Sequence, residues 1–153
     1  MVFLAFLLAA LGIGPMNPTT TKRYRMIDNK LPVYGIMRVT RHPRLCGLTL
    51  WGIAHVLVNG NLAALIMFGA LLVTAVNGMV SIARKRRRAL GPLWDEFEKQ
   101  TSRLPFAAIL TGRTRFELAE FRVWQVALAV ALFSGVFWLH GTIGPSPLFA
   151  LRP

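Results

Sequence analysis

The amino-acid sequence predicts an all-α, polytopic membrane protein with about four transmembrane helices, a basic cytoplasmic loop and a short interfacial helix. Composition is the first supporting observation: the 153 residues are 54% hydrophobic and 16% charged, whereas a soluble domain carries about 25% charged residues. The second is a set of uncharged runs that approach the ~20 residues a helix needs to cross a bilayer. The third is the concentration of basic residues between those runs. We treat residues 1–153 as a single membrane domain, whose one cysteine, Cys46, has no intrachain partner.

Four uncharged runs place the predicted spans in order along the chain. The first covers Met1–Met16 and predicts a short span, with a cleaved signal peptide as the alternative, although no basic segment precedes the run. Spans at Leu45–Val58 and Leu62–Ile82 follow, and the tight turn Asn59–Asn61 joins them into an antiparallel hairpin. The run Val123–Leu151 supplies the fourth span.

The positions of the basic residues predict how the chain crosses the membrane. Seven of the 18 Lys and Arg residues lie in Asn17–Arg44 and ten in Arg84–Arg122, which leaves only Arg152. By the positive-inside rule both segments face the cytoplasm, and both termini lie outside. Topology and contact with anionic lipid account for the net charge of +12. We therefore expect the lipid bilayer, anionic lipid and other membrane proteins as partners, and no nucleic acid.

Within the second basic segment, Gly91–Glu98 predicts a short helix. Pro92 stands near its first position, and acidic residues in the first turn complement the helix dipole. Leu93, Trp94 and Phe97 fall on one side of this helix. A helix with one such apolar face lies in the membrane interface, so we expect this face to rest against lipid.

A candidate anion-binding site precedes the second span. Arg41, His42 and Arg44 surround Pro43, which starts the helix. A helix N-terminus attracts negative charge, and arginines add bidentate donors. We expect an anionic group, most simply a lipid phosphate, at these three residues. The alternative is that the arginines only set the topology.

Histidines offer the other candidate chemistry. His55 lies ~20 Å along the helix axis from His42, near the outer end of the second span, and His140 closes the fourth span at a similar depth. An imidazole inside a bilayer either hydrogen-bonds to a neighbouring helix or ligates a metal or haem through a neutral nitrogen. Gly52, one turn before His55, leaves room for a flat macrocycle or for another helix. His55 and His140 are therefore candidate cofactor ligands, and His55 is the candidate metal ligand.

Several motifs in this order resemble the NnrU family of bacterial membrane proteins. The resemblance runs over roughly residues 1–150 and rests on Gly35–Pro43, Leu50–His55 and Val58–Ala63, continued by Lys85–Arg88. It implies a multi-pass protein of the bacterial inner (plasma) membrane, a non-enzymatic and haem-linked accessory of nitrite and nitric oxide metabolism in denitrification. The plant and cyanobacterial relatives are 15-cis-ζ-carotene isomerases that carry haem b, so the resemblance implies a haem b-dependent cis–trans isomerase as the alternative.

The same resemblance implies roles for individual residues. His55 matches a histidine implicated in haem ligation, and Gly52 stands where the isomerases have a cysteine. Their second haem histidine lies in an N-terminal helix. We therefore expect this chain to be a shortened member that begins after that helix.

A second, shorter resemblance concerns methyl transfer. The motif Arg41–Pro43, followed by Gly91, Trp94 and Phe97, is similar to the isoprenylcysteine carboxyl methyltransferases. Those enzymes place S-adenosylmethionine against the histidine that matches His42. The acidic pair that they carry before the glycine has no counterpart here, since the segment ahead of Gly91 is basic. Membrane methyl transfer is the third candidate function.

Overall fold

The computed structural model describes residues 1–14, 17–19 and 26–143, with side chains as far as His140. Within these ranges the chain forms helices and no extended strand, which confirms the all-α prediction for this part of the chain. The helices are α1 (Val2–Leu11), α2 (Ile36–Val39), α3 (Pro43–Val58), α4 (Leu62–Leu90), α5 (Pro92–Gln100), α6 (Ala107–Leu110) and α7 (Val123–Ile143), with a 3-10 turn at Leu118–Glu120. Four basic residues used to predict topology lie outside the described ranges: Lys22, Arg23, Arg25 and Arg152.

Two helices are long and apolar enough to cross a membrane, namely α4 and the segment Val123–His140 of α7. α1 and α3 are apolar but shorter, with 10 and 16 residues, or ~15 and ~24 Å of helix. The four predicted apolar helices are thus present among the described residues, and two of them have the length of a full span. α4 is longer than predicted, because the basic run Arg84–Arg88 continues the helix instead of opening a loop.

Glycines allow close contact between α1 and α3. A Cβ on Gly47 would lie 2.6 Å from the carbonyl oxygen of Ala5, and one on Gly12 would lie 2.9 Å from a side-chain carbon of Pro43. The end of α1 therefore lies beside the start of α3, and the two helices run antiparallel. Small residues permit such approach in lipid, where van der Waals packing holds helices together.

α3 packs against both α1 and α4, and α7 packs against α1. The Gln125 side chain at the start of α7 donates to the carbonyl oxygens of Leu11 at 3.3 Å and Ile13 at 2.7 Å. Further along α7, the Phe133 ring lies 5.4 Å from the Phe3 ring, centroid to centroid. These contacts show that α7 also runs antiparallel to α1.

The last turns of α3 and α7 extend past the beginning of α1. His140 follows Phe133, which is level with Phe3, by ~10 Å along α7. His55 follows Gly47, which is level with Ala5 of α1, by ~12 Å along α3. The ends of α3 and α7 therefore face each other beyond the N-terminal end of α1.

The short helix α5 forms where the sequence predicts it, but its apolar face packs on the protein. Trp94 and Phe97 are 0% and 1% exposed. They join a buried cluster with Met37 of α2 and Ala83 of α4. The expectation that this face rests on lipid is wrong, because residues of α2 and α4 cover it.

The predicted hairpin between α3 and α4 is present. Asn61 caps α4, since its side-chain oxygen accepts a hydrogen bond from the Ala64 backbone N–H at 2.8 Å. A Cβ on Gly60, in the same turn, would meet no other atom within 4 Å. A side chain is therefore tolerated at position 60, which suits a reporter of topology.

We expect Gly60→Cys to react with a membrane-impermeant maleimide in spheroplasts, because the positive-inside rule places this turn outside. The native Cys46, which is buried, is replaced by Ser. The control is Lys85→Cys, at an exposed position in the basic end of α4, which should react only after lysis. The reverse pattern would contradict the predicted orientation.

Candidate functional site

His55 and His140, the candidate cofactor ligands, come together in the structure. Their ring centroids are 6.2 Å apart, and the ring planes cross at 79°. His55 is half-buried near the end of α3, and His140 is exposed near the end of α7. His42 lies at the opposite end of α3 and takes no part in this pair.

Aromatic rings pack on one side of His55. Its ring centroid lies 4.2 Å from that of Trp51 and 4.7 Å from that of Phe68. Gly52 provides no open space beside it, because a Cβ there would lie 3.0 Å from a methyl carbon of Leu72. Of the two uses that the sequence allows for Gly52, the structure supports the close packing of α4 on α3. His140 of α7 lies on another side of the His55 ring, and a ligand that joins the two histidines would lie on that side.

The backbone orients the His55 ring. Its Nδ1 lies 2.8 Å from the carbonyl oxygen of Trp51, and because a carbonyl only accepts, Nδ1 carries the proton. Nε2 then has a free lone pair, which is the usual arrangement in metal-binding histidines. No group of three or more His, Cys, Asp or Glu residues converges among the described residues. A metal held by this pair would take its other ligands from a cofactor.

At the N-terminal end of α3, Arg41 forms a buried ion pair. Its side chain is 8% exposed and donates to the Glu98 carboxylate of α5, and to the carbonyl oxygen of Thr101 at 3.1 Å. The Arg41 backbone N–H donates to the carbonyl oxygen of Ser102 at 2.8 Å. Burial lowers the pKa of Arg41, while the Glu98 charge opposes that shift. Arg41 therefore ties α3 to the end of α5, with Glu98 balancing its charge.

His42 is enclosed by the protein. The residue is 1% exposed, and neither ring nitrogen has a hydrogen-bond partner in the described part of the chain. Burial, and then the charges of Arg41 and Arg103, lower its pKa to about 3. A neutral, inaccessible imidazole neither attracts an anion nor reaches a methyl donor. This placement argues against the methyl-transfer candidate.

Arg44, the third predicted anion ligand, is exposed and lies against α1. Its Cγ would stand 2.9 Å from a Cβ on Gly12. The three residues predicted to share an anion thus differ in setting: Arg41 is paired with Glu98, His42 is buried, and Arg44 is not among the residues that line the cleft beside Arg41.

That cleft, which we call the basic cleft, opens between α5 and the segment that follows it, with a volume of about 610 Å³. Five basic and two acidic residues line it, together with three others: Arg41, Arg87, Lys99, Arg103 and Arg113; Asp95 and Glu98; Ser102, Leu104 and Ala107. The sequence analysis assigned Arg103 and Arg113 to topology and to general contact with anionic lipid, and did not place them in a site. Apolar residues lie between these two arginines in the sequence, and this pattern is the feature that could have distinguished them from the other basic residues of the segment.

A second ion pair joins segments far apart in sequence. Arg38 donates through Nε and Nη2 to the two carboxylate oxygens of Glu120, at 2.7 and 2.6 Å, and the Gly35 N–H donates to the same carboxylate at 2.6 Å. The bond from Arg38 lowers the pKa of Glu120, and the bond to Glu120 raises the pKa of Arg38. These contacts fix the segment before α3 to the segment before α7.

Comparison with known proteins adds a family and two relatives. The family model described as "NnrU protein" matches residues 1–147. The chain is similar to the chloroplastic 15-cis-zeta-carotene isomerase of Zea mays, with 34% identity over 110 residues, or 69% of this chain and 30% of the relative. It is also similar to the Arabidopsis thaliana protein of the same name, with 38% identity over 79 residues, or 52% of this chain and 22% of the relative. The chain thus spans less than a third of either relative, and no solved structure matches it significantly.

Proposed function

The chain belongs to the NnrU family, and from this membership we propose that it is a multi-pass protein of the bacterial inner membrane that binds haem b between His55 and His140. The observation that carries the proposal is the 6.2 Å separation of the two rings. A metal–imidazole bond is about 2 Å long, so the two rings are close enough that both could hold one iron. Histidine is a common axial ligand of haem iron.

The surroundings of the pair support the same proposal. The Trp51 carbonyl accepts from His55 Nδ1, which orients the ring and leaves Nε2 as the ligand atom. Large apolar side chains at the ends of α3 and α7 are exposed, with Leu57 at 73% and Trp138 at 82%. Such a surface suits a bulky, apolar group that lies against the bundle.

Cis–trans isomerisation of a long conjugated polyene is the activity that we propose for the haem-loaded protein. Both relatives are named as isomerases of zeta-carotene. Haem would supply an electrophilic, redox-active iron beside such a substrate. His55 and His140 would hold the group. The exposed apolar residues at the same end of the bundle would bind the polyene and exclude water.

A non-enzymatic, haem-linked accessory role in nitrite and nitric oxide metabolism is the second candidate. Gly52 favours it, because the isomerase resemblance implies a cysteine there and Leu72 leaves little room for a side chain. In this role the protein would carry haem without converting a polyene.

Haem binding is tested by absorption spectroscopy of the purified protein. After reconstitution with haem b we expect a Soret band that is weaker and shifted in His55→Ala and in His140→Ala, because each variant keeps one of the two histidines, and that is lost in the double variant. Val123→Ala is the matched control, since Val123 is 83% exposed at the opposite end of α7, and it should keep the wild-type spectrum. A band that survives His55→Ala unchanged, or no band in the wild type, would contradict the proposal.

Incubation of the haem-loaded protein with a cis-configured carotene separates the two candidate activities. Conversion to the trans isomer, measured by chromatography and lost in His55→Ala, supports the isomerase. Haem binding without conversion, together with reduced nitrite and nitric oxide reductase expression after deletion of the gene, supports the accessory role.

A further inference from the structure

The basic cleft carries an inference that is independent of haem. We propose that it binds the phosphate of an anionic phospholipid, with Arg103 and Arg113 as the phosphate ligands and neighbouring apolar side chains as contacts for the acyl chains. This site shares only Arg41 with the set that the sequence predicts, and Arg41 is paired with Glu98.

The charges in the cleft do not cancel. Arg87 donates to both acidic residues of the cleft, Asp95 and Glu98, and Arg41 donates to Glu98. Arg103 and Arg113 form no ion pair with any carboxylate in the described part of the chain. Two guanidiniums therefore remain available to one phosphate, the ligand that their planar donor sets fit best.

Arg113 is held in position at the cleft. Its Nη1 donates to the carbonyl oxygens of Thr101 at 3.1 Å and Lys99 at 3.4 Å, and its Nε donates to the Thr111 hydroxyl at 2.9 Å. These acceptors are neutral, so they orient the guanidinium without balancing its charge. The Arg103 charge acts on Arg41 and His42, whose pKa values it lowers, which places it beside the same wall of the cleft.

Apolar side chains stand exposed beside the two arginines. Leu104 is 74% exposed, Phe106 is 50% exposed, and Leu110 is 83% exposed. Leu104 also lines the cleft itself. A soluble phosphate makes no contact that favours exposed apolar side chains, whereas a phospholipid carries its acyl chains next to its phosphate. This juxtaposition favours a lipid over a free phosphate.

The depth of the cleft fits a lipid headgroup. The uncharged part of α4 ends near Ile82, and Arg87, which lines the cleft, lies five residues further on, or ~7 Å along the axis. The headgroup layer on each side of the hydrocarbon core is about 5–8 Å thick. Arg87 and the cleft beside it therefore lie at the level of the phosphates.

The test measures binding of phosphatidylglycerol to the purified protein in a zwitterionic detergent by native mass spectrometry. We expect the double variant Arg103→Gln, Arg113→Gln to bind the lipid roughly thirtyfold more weakly, at about 1 kcal/mol per basic residue. The matched control is Arg84→Gln, Arg88→Gln, which removes the same charge from exposed positions on α4 outside the cleft and should bind as the wild type does. Arg103→Gln alone, which breaks no hydrogen bond or ion pair among the described residues, keeps the test valid if the double variant unfolds.

A second pair of measurements identifies the source of the phosphate. Leu104→Ser with Leu110→Ser should weaken phosphatidylglycerol binding several-fold, and phosphatidylcholine should bind more weakly than phosphatidylglycerol to the wild type. Inorganic phosphate that competes fully at millimolar concentration would overturn the lipid assignment in favour of a soluble ligand. Equal losses in the cleft variant and in the α4 control would show that the lipid responds only to net charge, and would overturn the site.

Discussion

Replacement of Glu98 by Ala should lower the free energy of unfolding by about 3–5 kcal/mol, because it leaves a buried charge without its partner. The Arg41 side chain is 8% exposed, and its Nε already lacks an acceptor. The charges of Arg103 and Arg113 lower the pKa of Arg41, so both oppose its protonated form. Without Glu98, Arg41 would keep only carbonyl acceptors such as that of Thr101.

Glu96→Ala is the matched control for this effect. Glu96 lies on the same helix and pairs with Lys99, but both side chains are largely exposed, at 61% and 71%. A solvent-exposed pair contributes little to stability because water screens it, so Glu96→Ala should lower the free energy of unfolding far less than Glu98→Ala does. Unfolding in detergent, followed by circular dichroism during a denaturant titration, gives both values. Similar small losses in the two variants would show that the Arg41–Glu98 pair is screened by water and does not hold α5 in place.

The sequence predicts the positions of the helices closely, but it does not predict whether lipid or protein covers the apolar face of a given helix. Uncharged runs and the turn at Asn59–Asn61 predict the α3–α4 hairpin to within two residues at its start. A helix that packs on lipid and a helix that packs on protein have the same pattern of apolar residues in the sequence. The burial of Trp94 against the protein is therefore visible only in the folded structure. The sequence did not reveal that α4 extends through Arg84–Arg88, since like charges one turn apart, as at Arg84 and Arg88, disfavour a helix. Arg87 offsets that cost through its ion pairs with α5.

The candidate sites could likewise be predicted only in part from the sequence. Counting 1.5 Å per residue places His55 and His140 at one depth, but the two rings can meet only because the N-terminal end of α1 does not reach as far as they do. That register follows from the contact of Gly47 with Ala5, which no local pattern reveals. The Arg38–Glu120 pair was not foreseen either, because it joins residues 82 positions apart. Interactions of this range are set by packing and not by local sequence.

Acidification should destabilise the protein at pH values where carboxylates are still ionised, and His42 is the cause. Its pKa is about 3 in the folded protein and about 6.5 in an unfolded chain. Between these values the unfolded chain binds a proton that the folded protein does not, so stability falls as the pH falls below about 6.5. The slope is about 1.4 kcal/mol per pH unit for one proton. Glu120 changes the stability only at lower pH. Its pKa is lowered in the folded protein, so the stability that it contributes is lost as the pH falls from the ordinary carboxyl pKa towards that lowered value.

We therefore expect the free energy of unfolding to drop by about 2–3 kcal/mol between pH 6.5 and pH 4.5. In His42→Gln the baseline stability changes, but the slope in this window should vanish, because the titrating group is gone. Arg41 and Arg103 are the charged groups that act on His42, and both are kept in this variant. The control Thr40→Val alters a buried neighbour of His42 without removing a titratable group, so it should change the baseline stability and keep the wild-type slope. An unchanged slope in His42→Gln would mean that the imidazole is protonated inside the folded protein, with an acceptor supplied by water or by a bound anion.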